Sequence, residues 1–496
     1  MTEDGAGDRR SLSRREIIVS GLTVGLGAAG LAWYVAGMRS SPPESSPKSE
    51  FRLPVPTPTP TSAGWQVPIV VGPLCTMVRS GDHLYLYDAR GTVHALDAGT
   101  GATRWRAEPG VPVGIGVLLS GDLVVVGGTP YPADGAIPTP NLTKGAVVAL
   151  DRRTGEPVWR HGTVGAFRFI GGPLPGSVLV HDDDGVLRLL DAATGEVLWR
   201  RALSSDAFHL SSVDRLAVSG SVVLETFGGT LRADMDDPVT HPNTEWFRAV
   251  DGVDGTVRWT ADVAAAKWTL VPHAGGGRPG TAGNIDWLST EVAGFVHVVR
   301  AILSPTGDPD AALSRTSELV GVEVGSGRST WAFPAGLMSQ PVVEADAIYV
   351  ASAETPDDAV RIHGWDARTG REMWTFRPDG DDAKILIPGA TVLAVDGDVL
   401  CAGSQDGILA LDVRTGRKNW SVRHGAHGLR GAPVMSRGVV YMVDDSGPAD
   451  IRAWRLSDGR ERPFDGPHAG DRTLVPVGDM LYVTSAAALY GIPLGA

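Results

Sequence analysis

The sequence predicts an all-β protein assembled from repeated four-stranded sheets, and three observations lead to this prediction. Glycine and proline are abundant, with 64 and 35 among 496 residues, as expected where strands are short and turns are frequent. The 14 tryptophans outnumber the 10 phenylalanines, although the indole is the costlier side chain to place. One short motif, which contains seven of these tryptophans, recurs along the chain after Gly64.

The motif consists of two apolar residues, an acidic residue, two variable residues, Thr-Gly or a close equivalent, three further residues and Trp. Seven copies end at Trp105, Trp159, Trp199, Trp259, Trp331, Trp374 and Trp420, and their turn glycines are Gly101, Gly155, Gly195, Gly255, Gly327, Gly370 and Gly416. An eighth copy has the turn glycine Gly459 but carries Pro463 where Trp is expected.

The spacing of the motif fits a tight hairpin between two strands. In the first copy, Asp97 ends one strand and its carboxylate can accept hydrogen bonds from the turn backbone. Gly101 supplies the positive φ that such a turn requires. Trp105 then projects from the returning strand, where an indole fills the gap between neighbouring sheets. With two more strands upstream of each copy, every unit is predicted to be one four-stranded propeller blade.

These residues resemble the PQQ-like β-propeller repeat family, which includes quinoprotein alcohol dehydrogenases and BamB-type outer-membrane assembly lipoproteins. The resemblance covers residues 64–496. It implies that the seven motif tryptophans and their turn glycines lock each blade to the next. The eighth copy departs from the pattern at Pro463, which puts its docking in doubt.

The two ends of this region predict how the ring closes. The segment around Gly64 and Trp65 resembles the last strand of a blade whose other strands are missing. The run from Asp479 to Leu494 resembles a blade that lacks its last strand. Pairing them in one sheet removes an open edge. A strict count of the units then gives nine blades, but we expect eight, the family norm, with one unit degenerate.

The N-terminal region predicts export. Residues 1–16 are a basic cytoplasmic segment, and residues 17–38 are 22 uncharged residues, about 33 Å long as a helix, which is enough to cross a bilayer. Ser13 to Ile18 resembles a twin-arginine signal, so 17–38 is either a membrane tether or a cleaved signal. Residues 39–63 form a Pro/Ser/Thr-rich linker. The match to G-x-G-x-x-G at Gly25–Gly30 lacks a βαβ context and is not assigned to nucleotide binding.

Charge and cysteine content exclude some classes of function. Residues 65–496 carry 37 Lys or Arg against 51 Asp or Glu, so the surface is acidic and nucleic acid is not an expected partner. Cys75 and Cys401 each lie in an apolar run, and we predict two buried, unpaired thiols.

The search for chemistry favours a non-catalytic protein. By resemblance, the quinoprotein enzymes hold their quinone against a vicinal Cys-Cys disulfide beside calcium, and this chain has no adjacent cysteines. His424 and His427, and the acidic runs 182–185, 379–382 and 444–447, are read as solvated turns rather than metal sites. We therefore predict no cofactor and no metal. The long spacers at 203–247 and 261–319 are expected to form loops on one face.

The leading hypothesis is an extracytoplasmic scaffold or sensor that binds protein partners in the cell envelope. The alternative is a PQQ-dependent quinoprotein oxidoreductase. A third hypothesis, a carbohydrate-binding propeller, depends only on Trp246, Trp268 and Trp287 in the long spacers.

Overall fold

A computed structural model describes most of the repeat region. The described residues are 56–494 except 62–63, 72–76, 89, 112, 130–143, 165–166, 183–185, 203–212, 228–245, 262–269, 272–277, 280–281, 289–290, 305–313, 356, 425–427, 445–449, 465–472 and 486–487. The predicted segments 1–16 and 17–38 and most of the linker lie outside them. Within the described ranges, no helix is long and apolar enough to span a membrane.

The first five blades follow one another along the chain, after two strands that belong to the last blade. Those two are β1 (Thr59–Thr61) and β2 (Gly64–Val67). Blade one contains β3 (Met77–Ser80), β4 (His83–Tyr87), β5 (Val93–Asp97) and β6 (Thr103–Ala107). Blade two contains β7 (Val113–Ser120), β8 (Leu123–Thr129), β9 (Lys144–Asp151) and β10 (Pro157–Val164). Blade three contains β11 (Phe167–Gly171), β12 (Ser177–Asp182), β13 (Val186–Asp191) and β14 (Val197–Ala202). Blade four contains β15 (Val213–Ser219), β16 (Val222–Phe227), β17 (Trp246–Asp251) and β18 (Val257–Ala261). A ribbon of β19 (Leu270–Val271) and β20 (Arg278–Pro279) precedes blade five, which contains β21 (Ala282–Leu288), β22 (Phe295–Ser304), β23 (Ser314–Glu323) and β24 (Ser329–Ala335).

Four further blades complete the set. Blade six contains β25 (Leu337–Met338), β26 (Val342–Glu344), β27 (Ala347–Ala353), β28 (Arg361–Asp366) and β29 (Glu372–Phe376), with β25 and β26 both paired to β27. A 3-10 helix, Asp382–Lys384, leads to blade seven, which contains β30 (Val392–Asp396), β31 (Val399–Ser404), β32 (Gly407–Asp412) and β33 (Lys418–Arg423). Blade eight contains β34 (Leu429–Ser436), β35 (Val439–Asp444), β36 (Asp450–Arg455) and β37 (Glu461–Arg462). Blade nine contains β38 (Thr473–Val477), β39 (Met480–Thr484) and β40 (Leu489–Pro493), followed in the sheet by β2 and β1.

The described residues therefore form a nine-bladed β-propeller, and the expectation of eight blades is wrong. The eighth copy is not absorbed into its neighbour, because Glu461 and Arg462 still form a short outer strand of its own sheet. The predicted clasp is confirmed. β2 pairs antiparallel with β40, with Trp65 opposite Gly491, so the last sheet is completed by residues from the start of the repeat region.

The hydrophobic core is divided among the seams between blades. The described residues form nine clusters of buried side chains, and each cluster joins two neighbouring blades, from blades one and two through to blades nine and one. Side chains alternate along β4, so Leu84 and Leu86 pack toward blade nine while Tyr85 and Tyr87 pack toward blade two. Because both faces of a blade are covered, its middle strands are apolar at almost every position.

Both hairpin turns of a blade lie at the same end of the propeller, which we call the turn end. In blade one, the N–H of Ala98 in the second hairpin donates to the carbonyl of Asp82 in the first, at 2.9 Å. The equivalent bond joins Val413 to Asp398 in blade seven. The motif residues therefore lie at the turn end.

Candidate functional site

The acidic residue of the motif is used by its own turn. In blade six, Asp366 Oδ1 accepts hydrogen bonds from the N–H and the hydroxyl of Thr369, at 2.8 and 2.7 Å. These two bonds lower the pKa of Asp366. The N–H of Gly370 then donates to the Asp366 carbonyl, with φ of +66° at the glycine. The same carboxylate–threonine bonds occur at Asp97, Asp151, Asp191 and Asp412.

Each motif indole lies over the turn glycine of the next blade. At Gly155, an added Cβ would lie 2.6 Å from Cε3 of Trp105, which is too close for any side chain. The predicted residues are brought together in this order: Trp105 with Gly155, Trp159 with Gly195, Trp199 with Gly255, Trp259 with Gly327, Trp331 with Gly370, and Trp374 with Gly416. Two further pairs extend the series, because the predicted Gly101 is covered by Trp65 and the predicted Trp420 covers Gly459, and neither Trp65 nor Gly459 was in the predicted set.

The indole N–H groups have a common acceptor that the sequence motif does not display. Seven of the eight docked indoles donate to the carbonyl of the residue that follows the motif acid in the next blade, or that follows Arg455 in blade eight. The pairs are Trp65 to Ala98 at 3.3 Å, Trp105 to Arg152 at 2.9 Å, Trp159 to Ala192 at 2.8 Å, Trp199 to Gly252 at 2.9 Å, Trp259 to Val324 at 2.7 Å, Trp374 to Val413 at 2.8 Å and Trp420 to Leu456 at 2.8 Å. Every residue has a backbone carbonyl, so the amino-acid sequence carries no signal for this acceptor.

A β-bulge before each motif tryptophan sets the direction of the indole. In blade three, Leu189 pairs with Trp199 and Leu190 pairs with Val197, which leaves Leu198 as the extra residue. The same shift occurs in blades one, two, four, five, six and seven. A bulge bends the strand and re-aims the side chains beside it.

The missing tryptophan of blade eight has a structural explanation. The glycine it would cover belongs to the turn between the last two strands of the next blade. In blade nine those strands are β40 and β2, which come from distant parts of the sequence and share no such turn. Phe464 instead packs against Tyr441, with ring centroids 5.5 Å apart.

The seam between blades five and six differs from the others. Trp331 covers Gly370, but among the described residues its Nε1 has no acceptor. The carbonyl in the equivalent acceptor position, that of Ala367, lies 2.7 Å from Nε2 of His297 and accepts the bond from this imidazole. His297 is 0% exposed, and burial lowers its pKa to about 4, so the ring is neutral near pH 7.

A cleft of about 790 Å³ opens beside this seam and is the candidate binding site. Phe333 and Pro334 of blade five line one wall, and Arg361 and Glu372 of blade six line the other. His363 lies at the base, where its Nδ1 is 3.0 Å from Thr375 Oγ1 and burial lowers its pKa.

Aromatic contacts hold the base of the cleft in place. The ring of His363 stacks on Trp365 at 4.9 Å with an angle of 6°, and Phe333 packs 4.2 Å from the same indole. The exposed groups around it carry both signs of charge. The cleft therefore combines charged groups of both signs with aromatic rings packed against His363.

The remaining sequence candidates do not converge. Cys401 is fully buried in blade seven and burial raises the pKa of its thiol, while Cys75 lies outside the described residues. His424 lies 3.4 Å from Asp444, and His427 is not described. The prediction of solvated turns is wrong for Asp382 and Asp444, which are buried and paired with Lys418 and Arg452, whereas the exposed Asp381 is paired with Lys384. Residues 183–185 and 445–447 of the acidic runs lie outside the described residues. In the described part of the chain, no group of three or more side chains could hold a metal ion. The side chains of Trp246, Trp268 and Trp287 are not described.

Among the known proteins similar to this chain are a dehydrogenase and an outer membrane assembly factor. A polyvinylalcohol dehydrogenase from Sphingopyxis sp. (strain 113P3) is 25% identical over 462 residues, covering 75% of this chain and 67% of the relative. An outer membrane protein assembly factor BamB from Yersinia pestis is 22% identical over 303 residues, covering 60% of this chain and 64% of the relative. A solved BamB from Moraxella catarrhalis is 18% identical, with a TM-score of 0.42 and coverage of 80% of this chain and 98% of that one.

A family model described as outer membrane protein assembly factor BamB matches residues 61–137, 89–376 and 243–492, which overlap as expected for a repeat. The three matches together span almost the whole propeller, and the chain belongs to this family of PQQ-like β-propeller proteins.

Proposed function

We propose that this chain is a non-catalytic, extracytoplasmic scaffold that binds protein partners in the cell envelope and is tethered through residues 17–38. The family match supports a scaffold, since the matching model carries the description of an assembly factor. The tether is inferred from the uncharged segment alone.

The observation that carries the proposal is that the repeated reactive groups are already engaged by the fold. The carboxylates of Asp97, Asp366 and Asp412 accept bonds from their own turns, and the indoles cover glycines of neighbouring blades. Among the described residues, the cleft beside blades five and six offers a surface for recognition, where Arg361 and Glu372 are exposed on rigid strands. A fixed surface with both signs of charge suits a protein ligand.

The second candidate is a quinoprotein oxidoreductase, which is favoured by the 25% identity to a polyvinylalcohol dehydrogenase. The residues of this chain do not fit that cofactor as the family binds it. Cys401 is enclosed between strands of blade seven, opposite Ala394 and Ala410, and has no neighbouring cysteine in sequence with which to form a vicinal disulfide.

Two measurements on the full chain separate these functions. Titration with PQQ and calcium, followed by tryptophan fluorescence and by alcohol-dependent dye reduction, is expected to give neither saturation nor turnover. Saturable binding with turnover would replace the scaffold by the oxidoreductase. In parallel, Arg361→p-benzoylphenylalanine is expected to give discrete photo-cross-links to envelope proteins, whereas Asn419→p-benzoylphenylalanine on blade seven is not. Equal yields from the two positions would remove the cleft as the binding site.

A further inference from the structure

Aliphatic side chains are exposed on one arc of the propeller. Val158, Val197, Leu198, Val253 and Val257 are 50%, 43%, 50%, 63% and 40% exposed, and we call this set the aliphatic rim. They are five of the seven large exposed hydrophobic residues in the described part of the chain. All five lie on blades two, three and four, which are consecutive. Clustering of this kind marks a surface that contacts something other than water.

The blade architecture does not require apolar residues at these positions. Val158 and Leu198 are the bulge residues that precede the motif tryptophan. The equivalent residues are Arg104 in blade one, Arg258 in blade four, Thr330 in blade five and Asn419 in blade seven, so blade four contributes to the rim through Val253 and Val257 instead. Met373 of blade six is the one other exposed apolar residue at this position, and it has no apolar counterpart on blade five or seven. The apolar residues of the aliphatic rim therefore differ from the polar residues that most blades carry at the equivalent positions.

The rim adjoins the place where the N-terminal linker reaches the propeller. The hydroxyl of Thr103 donates to the carbonyl of Pro56 at 3.2 Å. Thr103 lies two residues after its turn glycine, the position that Val197 and Val257 hold in blades three and four. The linker therefore contacts blade one at the counterpart of the rim, at the turn end and next to blade two.

We propose that the aliphatic rim rests on the phospholipid surface to which the chain is tethered. This inference depends on the tether of the proposed function. The stretch from residue 39 to 55 has 17 residues and cannot span more than about 60 Å, so the side of the propeller where it attaches stays near the bilayer.

The polar residues around the rim suit the headgroup region. Arg160 and Arg200 are exposed two residues beyond Val158 and Leu198, and long guanidinium side chains reach phosphates while their stems lie on apolar surface. Arg258 is held by Asp251 at 2.7 Å, and Glu156 and Glu196 precede the strands. Positive and negative charges therefore balance around the rim, although the propeller as a whole is acidic. Charge repulsion does not oppose contact between the rim and a phospholipid surface, as it would on the acidic parts of the propeller.

The test uses the full chain reconstituted in vesicles of phosphatidylethanolamine and phosphatidylglycerol, seven to three. In a Cys75→Ser background, an environment-sensitive fluorophore is attached at Leu198→Cys or at the matched control Met373→Cys, since Cys401 is fully buried. Brominated lipids are expected to quench the label at 198 at least threefold more than the label at 373. Val158→Cys is expected to behave like Leu198→Cys.

The outcomes distinguish the two levels of the proposal. If the full chain does not float with the vesicles, the tether is wrong and the rim contact falls with it. If the chain floats but the labels at 198 and 373 are quenched equally, the rim contact is wrong while the tether stands. In that second case the rim would be the surface of a protein partner instead.

Discussion

The indole hydrogen bond at a blade seam can be isolated by comparing the same substitution at two seams. Trp374→Phe and Trp331→Phe both keep an aromatic ring over a turn glycine and both lose the second indole ring. Only Trp374 donates a hydrogen bond, 2.8 Å to the Val413 carbonyl, because the equivalent carbonyl beyond Trp331 is taken by His297. The cost of the smaller ring therefore largely cancels between the two variants.

The remaining difference is the energy of one buried hydrogen bond. Its net contribution is about 1 kcal/mol, and a carbonyl left without a partner brings the cost to about 1–3 kcal/mol. We therefore expect Trp374→Phe to lower the free energy of unfolding by about 1–2 kcal/mol more than Trp331→Phe does. Urea denaturation followed by far-ultraviolet circular dichroism, with slopes compared to detect intermediates, measures the difference.

Two results would refute this reasoning. Equal losses at the two positions would mean that the indole N–H contributes nothing to docking and that the ring alone matters. A larger loss at Trp331 would mean that His297 does not substitute for the indole. Trp420→Phe serves as a second test, because Trp420 makes the same 2.8 Å bond to Leu456 and should match Trp374→Phe.

Three other perturbations have expected outcomes. Gly195→Ala should lower the free energy of unfolding by about 2–4 kcal/mol, since φ is +74° and the new Cβ would lie 2.7 Å from an indole carbon. Gly176→Ala is the control, because its φ is also positive, at +72°, but the space around it is open. It should cost only about 1–2 kcal/mol in the same thermal or urea melt. The contribution of His297 to stability should fall by about 3 kcal/mol as pH drops from 6.5 to 4, because the unfolded imidazole gains a proton that the folded one resists until about pH 4. His297→Leu should make stability less dependent on pH between these values, as measured by urea melts at a series of pH values. Glu225→Ala should lower the free energy of unfolding by about 3–5 kcal/mol, since the carboxyl is 1% exposed and its removal breaks a 2.5 Å ion pair with the buried guanidinium of Arg248; a loss below 1 kcal/mol would show that the pair is dispensable.

Sequence reasoning located the repeated part of the fold because each copy carries its own signal. Asp97, Gly101 and Trp105 mark a hairpin whose geometry depends on residue type, and the structure places all three at the turn end. The number of blades was misjudged because the family norm of eight was preferred to the strict count of nine units, and the ninth unit has no motif of its own. Its strands come from both ends of the repeat region, and Trp65 is separated from β40 by more than 400 positions.

The candidate site was less predictable for a physical reason. The acceptor carbonyls of the seams and the bulges before the tryptophans are backbone features, which no residue type encodes. His297 lies in an apolar strand, where it reads as another core position. Its bond to Ala367 depends on a neighbouring blade 70 residues away. Arg361 and Glu372 look like ordinary surface residues until the fold brings Phe333 of the preceding blade beside them.

Function in a repeat protein is best sought where one copy differs from the others. A residue that recurs in every blade is explained by what every blade needs, as the turn-bound carboxylates show. In the described part of the chain, three features depart from the repeat: His297 takes the seam carbonyl in place of the indole, a cleft opens beside it, and blades two to four carry the aliphatic rim. The repeated blade structure does not account for these features, because blades that lack them still pack a tryptophan over the turn glycine of the next blade. These departures are therefore the positions where substitutions can change binding while the nine-bladed frame is preserved.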